Sequence, residues 1–318
     1  MKIVFLERNS LGQDVDLSYF RELGDVVFYE TSTAEEAAER TKEAQIVVSN
    51  KVPMSEKTLA GAKDLKMVCL TATGTNNVDF SYMNSRNIPV ANVKSYSTDS
   101  VVQHTFAMLF YLLERLPYYD NYVKSGDYAR SDLFSHFDYQ YHELSGMRFG
   151  IIGLGEIGRK VGQIAKLFGC QVCYYSTSGK NVNDEFLQLP LEELLGTSDV
   201  VSVHAPLNEN TQDLMGEAQF RMMKPSAIFL NLGRGPIVVE EALYKALSEN
   251  WIGGAGLDVL RTEPMKPDNP LLNIQDSNRL IITPHIGWAT LEARNRCARE
   301  VYENIRAFLR GEARNIVK

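Results

Sequence analysis

Apolar residues along this chain gather in short continuous runs, separated by stretches where they recur every three or four positions. In the N-terminal third the runs are Ile3 to Leu6, Val26 to Tyr29, Ile46 to Ser49, Met67 to Thr71 and Pro89 to Val93. Runs without a polar alternate read as strands buried on both faces. The stretches Ala34 to Ala44 and Ser55 to Ala62 between them read as helices, and strand–helix alternation predicts a parallel, doubly wound sheet. From Asp99 a long helical pattern runs through Val101, Val102, Phe106, Leu109, Phe110 and Leu113, with Ser97-Thr98-Asp99 as N-cap candidates. The segment Tyr118 to Leu144 is rich in Tyr, Asp, Ser and His and has no clean period; it reads as an arm or a surface excursion. Alternation then resumes. Strands are expected at Gln171 to Tyr175, Val200 to His204, Ala227 to Leu232, Ala255 to Val259 and Arg279 to Thr283. Helices are expected at Glu192 to Thr197, Glu240 to Glu249 and Thr290 to Arg310.

Where alternation resumes, an apolar run (Phe149, Ile151, Ile152) enters Gly153-Leu154-Gly155-Glu156-Ile157-Gly158, and Ile157, Val161, Ile164, Ala165 and Phe168 follow at helical spacing. Strand, glycine turn and helix together form a dinucleotide-binding signature. Gly153 permits the tight turn, Gly155 lets backbone approach a pyrophosphate, and Gly158 lets the helix pack on its strand. The free N–H groups of the helix start would hold the phosphates. The motif lies mid-chain, so another domain precedes it. We expect an α/β protein of two doubly wound parallel-sheet domains: a Rossmann domain over residues 98–287, inserted into a domain built from 1–97 and 288–318. Crossings near Thr98 and Gly287 would act as hinges, with ligands in the intervening cleft.

Composition narrows the class. The 318 residues are 44% hydrophobic and 23% charged, as in an ordinary soluble globular protein. A net charge of −7 argues against a nucleic-acid surface. No apolar run approaches the roughly 18 residues a membrane span needs, and Met1 to Leu6 reads as a strand rather than a leader. A cytoplasmic location is expected. Cys170 and Cys173 form the one CxxC pair, on a predicted strand where positions i and i+3 face opposite sides, so no metal is expected there.

In doubly wound sheets ligands bind beyond the carboxyl ends of the strands. Three residues at such ends carry chemistry: Arg234, Glu263 and His285. Arg234, between two glycines, can grip a carboxylate or carbonyl oxygen bidentately. His285 is a candidate acid/base. Glu263 can orient its imidazole and stabilise the charged form. Asn231-Leu232-Gly233-Arg234-Gly235, Gly256-Leu257-Asp258-Val259 with Glu263-Pro264, and Thr283-Pro284-His285 are similar to the signatures of the D-isomer-specific 2-hydroxyacid dehydrogenases. So are the glycine turn and His204-Ala205-Pro206-Leu207, and the resemblance covers essentially the whole chain.

The resemblance implies a flavodoxin-like substrate domain, an NAD cofactor and a homodimer whose interface includes the segment after the hinge helix. It implies Arg234 for substrate binding and polarisation, His285 as proton donor and acceptor, and Glu263 as its partner. Cofactor contacts are expected from Thr105, Gly153, Gly155, Glu156, Ile157, Gly158, Ser176, His204, Ala205, Pro206, Thr211, Asn231, Leu232, Gly233, Asp258 and Gly287, with Asp258 on the nicotinamide carboxamide. Thr71-Ala72-Thr73-Gly74-Thr75-Asn76-Asn77-Val78-Asp79 and His285-Ile286-Gly287-Trp288-Ala289-Thr290 look like the glycerate dehydrogenase (hydroxypyruvate reductase) branch. There Thr73 and Gly74 would supply amides to a carboxylate and Trp288 would wall the pocket. Lys51 reads as a solvated lysine. One position departs from the NAD pattern. The strand after the glycine helix ends at Ser176, where NAD-preferring members carry an acid, so NADP is admissible as well. Glyoxylate, a branched 2-keto acid or phosphoglycerate are the alternative substrates, and a dinucleotide-sensing binding protein is the alternative class.

Overall fold

The structure, a computed structural model, describes residues 1–317. The chain divides into two compact units, one made of Met1–Ser97 with the stretch from Ala289 onward, the other of Thr98–Trp288.

The first unit is built on strands β1 (Lys2–Phe5), β2 (Asp25–Phe28), β3 (Ile46–Ser49), β4 (Met67–Leu70) and β5 (Val90–Ala91). They pair in parallel in the order β5-β4-β3-β1-β2, the flavodoxin-type arrangement. The continuous apolar runs are explained by burial on both faces: Ile46, Val47 and Val48 of β3 and Met67 to Leu70 of β4 are all buried. Helices α1 (Ala34–Arg40), α2 (Glu56–Leu59) and α3 (Phe80–Ser85) cross between them. Thr33 and Glu36 close a capping box on α1. Helix α10 (Leu291–Leu309) starts on a Thr290 cap and buries Ala293, Cys297, Ala298 and Val301 in this unit. A last strand, β13 (Ile316–Val317), adds antiparallel to β5, a pairing too short for any apolar period to reveal.

At the carboxyl ends of these strands one carboxylate organises the loops. Glu7 Oε2 accepts from the backbone N–H of Asn50, Lys51 and Val52 and from Ser49 Oγ. Asn50 Nδ2 in turn donates to Thr71 O and Oγ1. The Lys51 side chain itself is exposed.

The second unit holds β6 (Arg148–Ile152), β7 (Gln171–Tyr175), β8 (Leu187–Gln188), β9 (Val200–Val203), β10 (Ile228–Asn231), β11 (Gly254–Leu257) and β12 (Leu280–Ile282). All are parallel, in the order β12-β11-β10-β9-β6-β7-β8. This is the Rossmann order, with the switch point between β6 and β9. Helix α4 (Thr98–Leu113) lays Val102, Met108, Leu109 and Leu112 into a core with Phe149, Ile151 and Leu230. Helix α6 (Glu156–Leu167) buries Val161 and Ala165 in the same core. On the opposite face α7 (Leu191–Thr197), α8 (Glu217–Met222) and α9 (Glu240–Ser248) pack Leu194, Phe220, Leu243 and Leu247 against Val201 and Phe229. The four cysteines are free and buried; Cys170 Sγ reaches Leu144 O while Cys173 Sγ lies by Ser198 Oγ, so the CxxC pair serves two different neighbourhoods.

The segment expected to lack regular structure begins as a helix, α5 (Leu116–Lys124), followed by a short 3-10 turn at Tyr128–Arg130. The helix has no buried residue, so no apolar stripe marked it. Local pairs hold it instead: an Asp120–Lys124 ion pair, and stacking of Tyr118 and Tyr122 on the His136 ring, the latter at 3.8 Å. Beyond Arg130 the segment has no regular structure up to Leu144, and Leu133, Phe134 and Phe137 are exposed.

Candidate active site

Because the strands of the second unit are parallel, their carboxyl ends lie on one edge. β6 ends at the glycine turn, β7 at Ser176, β9 at His204, β10 at Leu232-Gly233-Arg234, β11 at Asp258 and β12 at Thr283-Pro284-His285. Asn231, Leu257 and Ile282 stand abreast in the pairing of β10, β11 and β12, so Arg234, Asp258 and His285 all follow from neighbouring strand ends.

The glycine turn has the geometry of a phosphate cradle. Gly153 lies at φ +94°, and a Cβ there would stand 2.7 Å from the Ala205 backbone. A Cβ on Gly158 would meet the Gly153 carbonyl at 2.3 Å. Gly155, the N-cap of α6, has nothing within 4 Å of its Cβ position. Two of the three glycines are thus required by the protein's own packing, whereas Gly155 borders open space at the positive end of a helix. Glu156 Oε1 accepts from Thr98 Oγ1. The next strand end contributes Ser176, 7% exposed, whose Oγ has no partner within the protein. An orphaned hydroxyl at this strand end and an open cradle beside α6 fit a dinucleotide.

His204 closes the other side of the switch point. Its Nε2 lies 2.8 Å from Ser202 Oγ and Nδ1 is shielded and unpartnered. Burial pushes the imidazole down to about 3, so it is neutral at physiological pH. Ala205 is buried against Gly153, whereas Pro206 is exposed. Thr211 Oγ1 donates to Pro206 O at 2.7 Å and fixes that loop. Thr105, inside α4, is buried and donates to Val101 O.

The Arg234 loop is pinned by Asn231, which is fully buried. Its Oδ1 accepts from Gly233 N and its Nδ2 donates to Arg234 O, each at 3.1 Å. Leu232 is buried beneath it. The Arg234 guanidinium is half-buried and donates to Gly233 O at 2.8 Å.

His285 occupies the left-handed region at φ +55°, a conformation costing about 1–3 kcal/mol for a non-glycine residue. Asp258 supplies the compensation. Its carbonyl accepts from His285 N at 2.8 Å. Its carboxylate accepts from Ile286 N and Thr283 Oγ1 through Oδ1, and from Gly287 N through Oδ2. Burial works to raise this carboxyl, but donors from His104, Thr283, Gly287 and Ile286 outweigh it and hold it below the usual carboxylate range. His104 was not among the residues singled out from the sequence. Its Nε2 lies 2.9 Å from Thr283 Oγ1, which already donates to Asp258, so the ring must donate to the hydroxyl. Ser100 Oγ donates to Gly287 O, so α4 holds the turn from below. Trp288 is partly buried against the α4 core.

The His285 ring faces Glu263. Nδ1 lies 2.8 Å from Glu263 Oε2, while Oε1 accepts from Leu260 N at 3.0 Å. An ionised carboxylate only accepts, so Nδ1 carries the proton and Nε2 is the nitrogen presented to a reactant. The first unit holds Thr73, whose Oγ1 donates to Val93 O and whose carbonyl accepts from Asn92 Nδ2; Gly74 follows it. Among the described residues no group of three or more His, Cys, Asp or Glu is placed to hold a metal, and no helix is long and apolar enough to cross a membrane.

The chain is similar to known proteins. Residues 106–287 match the family model described as D-isomer specific 2-hydroxyacid dehydrogenase, NAD binding domain. The chain is 37% identical to a glycerate dehydrogenase of Methylorubrum extorquens, over 100% of this chain and 99% of that one. It is 36% identical to a hydroxypyruvate reductase of Blautia hydrogenotrophica, over 100% and 99% respectively. A solved D-lactate dehydrogenase of Aquifex aeolicus, complexed with NAD and lactic acid, superposes with a TM-score of 0.85 at 26% identity, covering 98% of this chain and 96% of that one.

Gly155→Ala should leave the melting temperature unchanged yet weaken NADH binding about tenfold or more, measured by fluorescence titration. Gly158→Ala, which drives a Cβ into backbone, should destabilise by about 1–3 kcal/mol. His204 binds a proton in the unfolded state below its ordinary value of 6.5 but not in the folded state until about 3. Its contribution to stability is therefore complete above pH 6.5 and is lost as pH falls toward 3. Unfolding free energies from denaturant titrations across this window should fall less steeply for His204→Gln than for the wild type.

Proposed function

This chain belongs to the D-isomer-specific 2-hydroxyacid dehydrogenase family and is a nicotinamide-dinucleotide-dependent oxidoreductase, and on that premise we propose that it interconverts hydroxypyruvate and D-glycerate. The observation that carries the reading is the Glu263–His285 pair beside the Arg234 loop, together with full-length similarity to a glycerate dehydrogenase and a hydroxypyruvate reductase.

A bound nicotinamide dinucleotide supplies the hydride that reduces C2 of the keto acid. The protein's residues do the rest. Arg234 grips the substrate carboxylate and draws charge toward the carbonyl oxygen. His285, protonated, delivers the Nε2 proton to that oxygen as it becomes a hydroxyl; in the oxidative direction it accepts the proton back. Glu263 holds Nδ1–H throughout, so the ring does not turn. Gly153, Gly155, Glu156, Ile157 and Gly158 take the pyrophosphate, and Thr105, His204, Ala205, Pro206, Thr211, Asn231, Leu232, Gly233, Asp258 and Gly287 line the remaining cofactor path. The Asp258 carboxylate already accepts three hydrogen bonds within the protein and has the His104 ring beside it, so its part toward the cofactor is to hold the turn that borders it. Thr73, Gly74 and Trp288 are assigned to the substrate by resemblance.

Ser176 offers no carboxylate against a 2′-phosphate, so NADP is admitted, while the stretch Ser176-Thr177-Ser178-Gly179-Lys180 holds no arginine to grip one, which favours NAD. A homodimer in the cytoplasm completes the reading; the exposed Leu133, Phe134 and Phe137 are the kind of surface that a second copy covers.

His285→Gln should retain NADH affinity and lose kcat with hydroxypyruvate by about 10²–10⁴. Turnover near the wild-type level would remove His285 from the chemistry. Measured as kcat/KM with both NADH and NADPH, hydroxypyruvate should exceed glyoxylate and branched 2-keto acids. A glyoxylate preference would move the assignment within the family.

A further inference from the structure

Glu263 sits on an excursion of the chain that leaves the β11 end and returns at a 3-10 turn, Pro270–Asn273. The neck of this excursion is closed by one carboxylate, Glu240, at the first position of α9. Its Oε1 accepts from Arg261 N at 2.7 Å, at the entry, and its Oε2 accepts from Asn269 Nδ2 at 2.8 Å, at the exit. Asn269 is oriented by accepting from Leu271 N through Oδ1. Glu240 is 7% exposed, among the few charged side chains buried in the chain. A buried carboxylate is retained at a cost unless its oxygens are satisfied, and here both are spent on the two ends of one loop. The start of α9 favours a negative charge there.

The entry end is tightly specified. Leu260 donates its N–H to Glu263 Oε1, and the next N–H, that of Arg261, goes to Glu240. Gly235, the residue after Arg234, packs so closely on Leu260 that a Cβ would stand 1.9 Å from its carbonyl carbon. Arg261 is further tied to Asp213 by an ion pair. The backbone that fixes Glu263 is therefore set from one side by Glu240 and from the other by the Arg234 loop.

We propose that Glu240 is a positioning residue for proton transfer: by clasping Arg261 and Asn269 it fixes the excursion so that Glu263 meets His285 Nδ1. This rests on the assignment of Glu263 and His285 to the chemistry. Neutral glutamine keeps one acceptor for Arg261 but turns a donor toward Asn269 Nδ2, so Glu240→Gln opens only the exit, whereas Glu240→Ala opens both.

The test is a double-mutant cycle on hydroxypyruvate reduction with NADH, using Glu240→Gln, Glu240→Ala, Glu263→Gln and the two combinations. Glu240→Ala is expected to lower kcat about tenfold or more, and Glu240→Gln less, with KM for NADH unchanged. In the Glu263→Gln background neither change at Glu240 should lower kcat further, because its effect runs through Glu263. Equal losses in both backgrounds, or a loss confined to KM for NADH, would overturn the proposal. If Glu240→Ala fails to fold, Glu240→Gln alone carries the comparison. Wild-type kcat in Glu263→Gln itself would instead overturn the assignment on which the proposal rests, and the proposal with it.

Discussion

The hydrogen bond between His285 Nδ1 and Glu263 Oε2 is the interaction on which the site depends. A histidine alone rotates freely and can present either nitrogen. With a carboxylate on Nδ1 only one tautomer and one ring orientation remain, and Nε2 is the nitrogen left to meet a reactant. Holding that pair demands two fixed backbones. On the histidine side Asp258 binds three consecutive residues, His285, Ile286 and Gly287, and thereby maintains a left-handed φ that would otherwise cost the turn. On the glutamate side Leu260, Arg261 and Asn269 are held by Glu263 itself and by Glu240.

The parallel sheet explains why such loops can be held at all. The buried strands β10 and β11 and the half-buried β12 are register-locked and deliver Arg234, Asp258 and His285 from neighbouring ends. The helices beneath them do more than cover the sheet. Helix α4 reaches the His285 turn through Ser100 and His104, and α9 reaches the Glu263 excursion through Glu240. The same architecture leaves Gly155 beside open space at the start of α6, with the buried, unpartnered Ser176 hydroxyl at the next strand end.

Much of this was legible in the sequence. The apolar runs matched the strands to within a residue or two, and Ile46–Ser49 without error, because a strand buried on both faces leaves no polar interruption. The family-level reading rested on Gly153-x-Gly155-x-x-Gly158 and on residues immediately after strands, where position alone implies exposure to ligand. What was not legible has a common cause. Helix α5 buries nothing and so carries no stripe. Strand β13 consists of two residues. His104 and Glu240 lie within helices, where a polar residue ordinarily signifies a solvated face; only the fold shows that each turns toward a loop distant in sequence. Asp258 was read as a cofactor contact, and the three donors that its carboxylate meets within the protein could not be inferred from the Gly-Leu-Asp-Val motif.

The central claim is that Glu263 fixes the His285 imidazole with Nδ1 protonated and Nε2 left to meet the reactant. It is tested most directly by ¹⁵N NMR of the enzyme labelled at histidine, with His285 assigned by comparison with His285→Gln. The account predicts that Nδ1 stays protonated across the pH range of activity. A neutral His285 carrying its proton on Nε2, with Nδ1 bare, would contradict it.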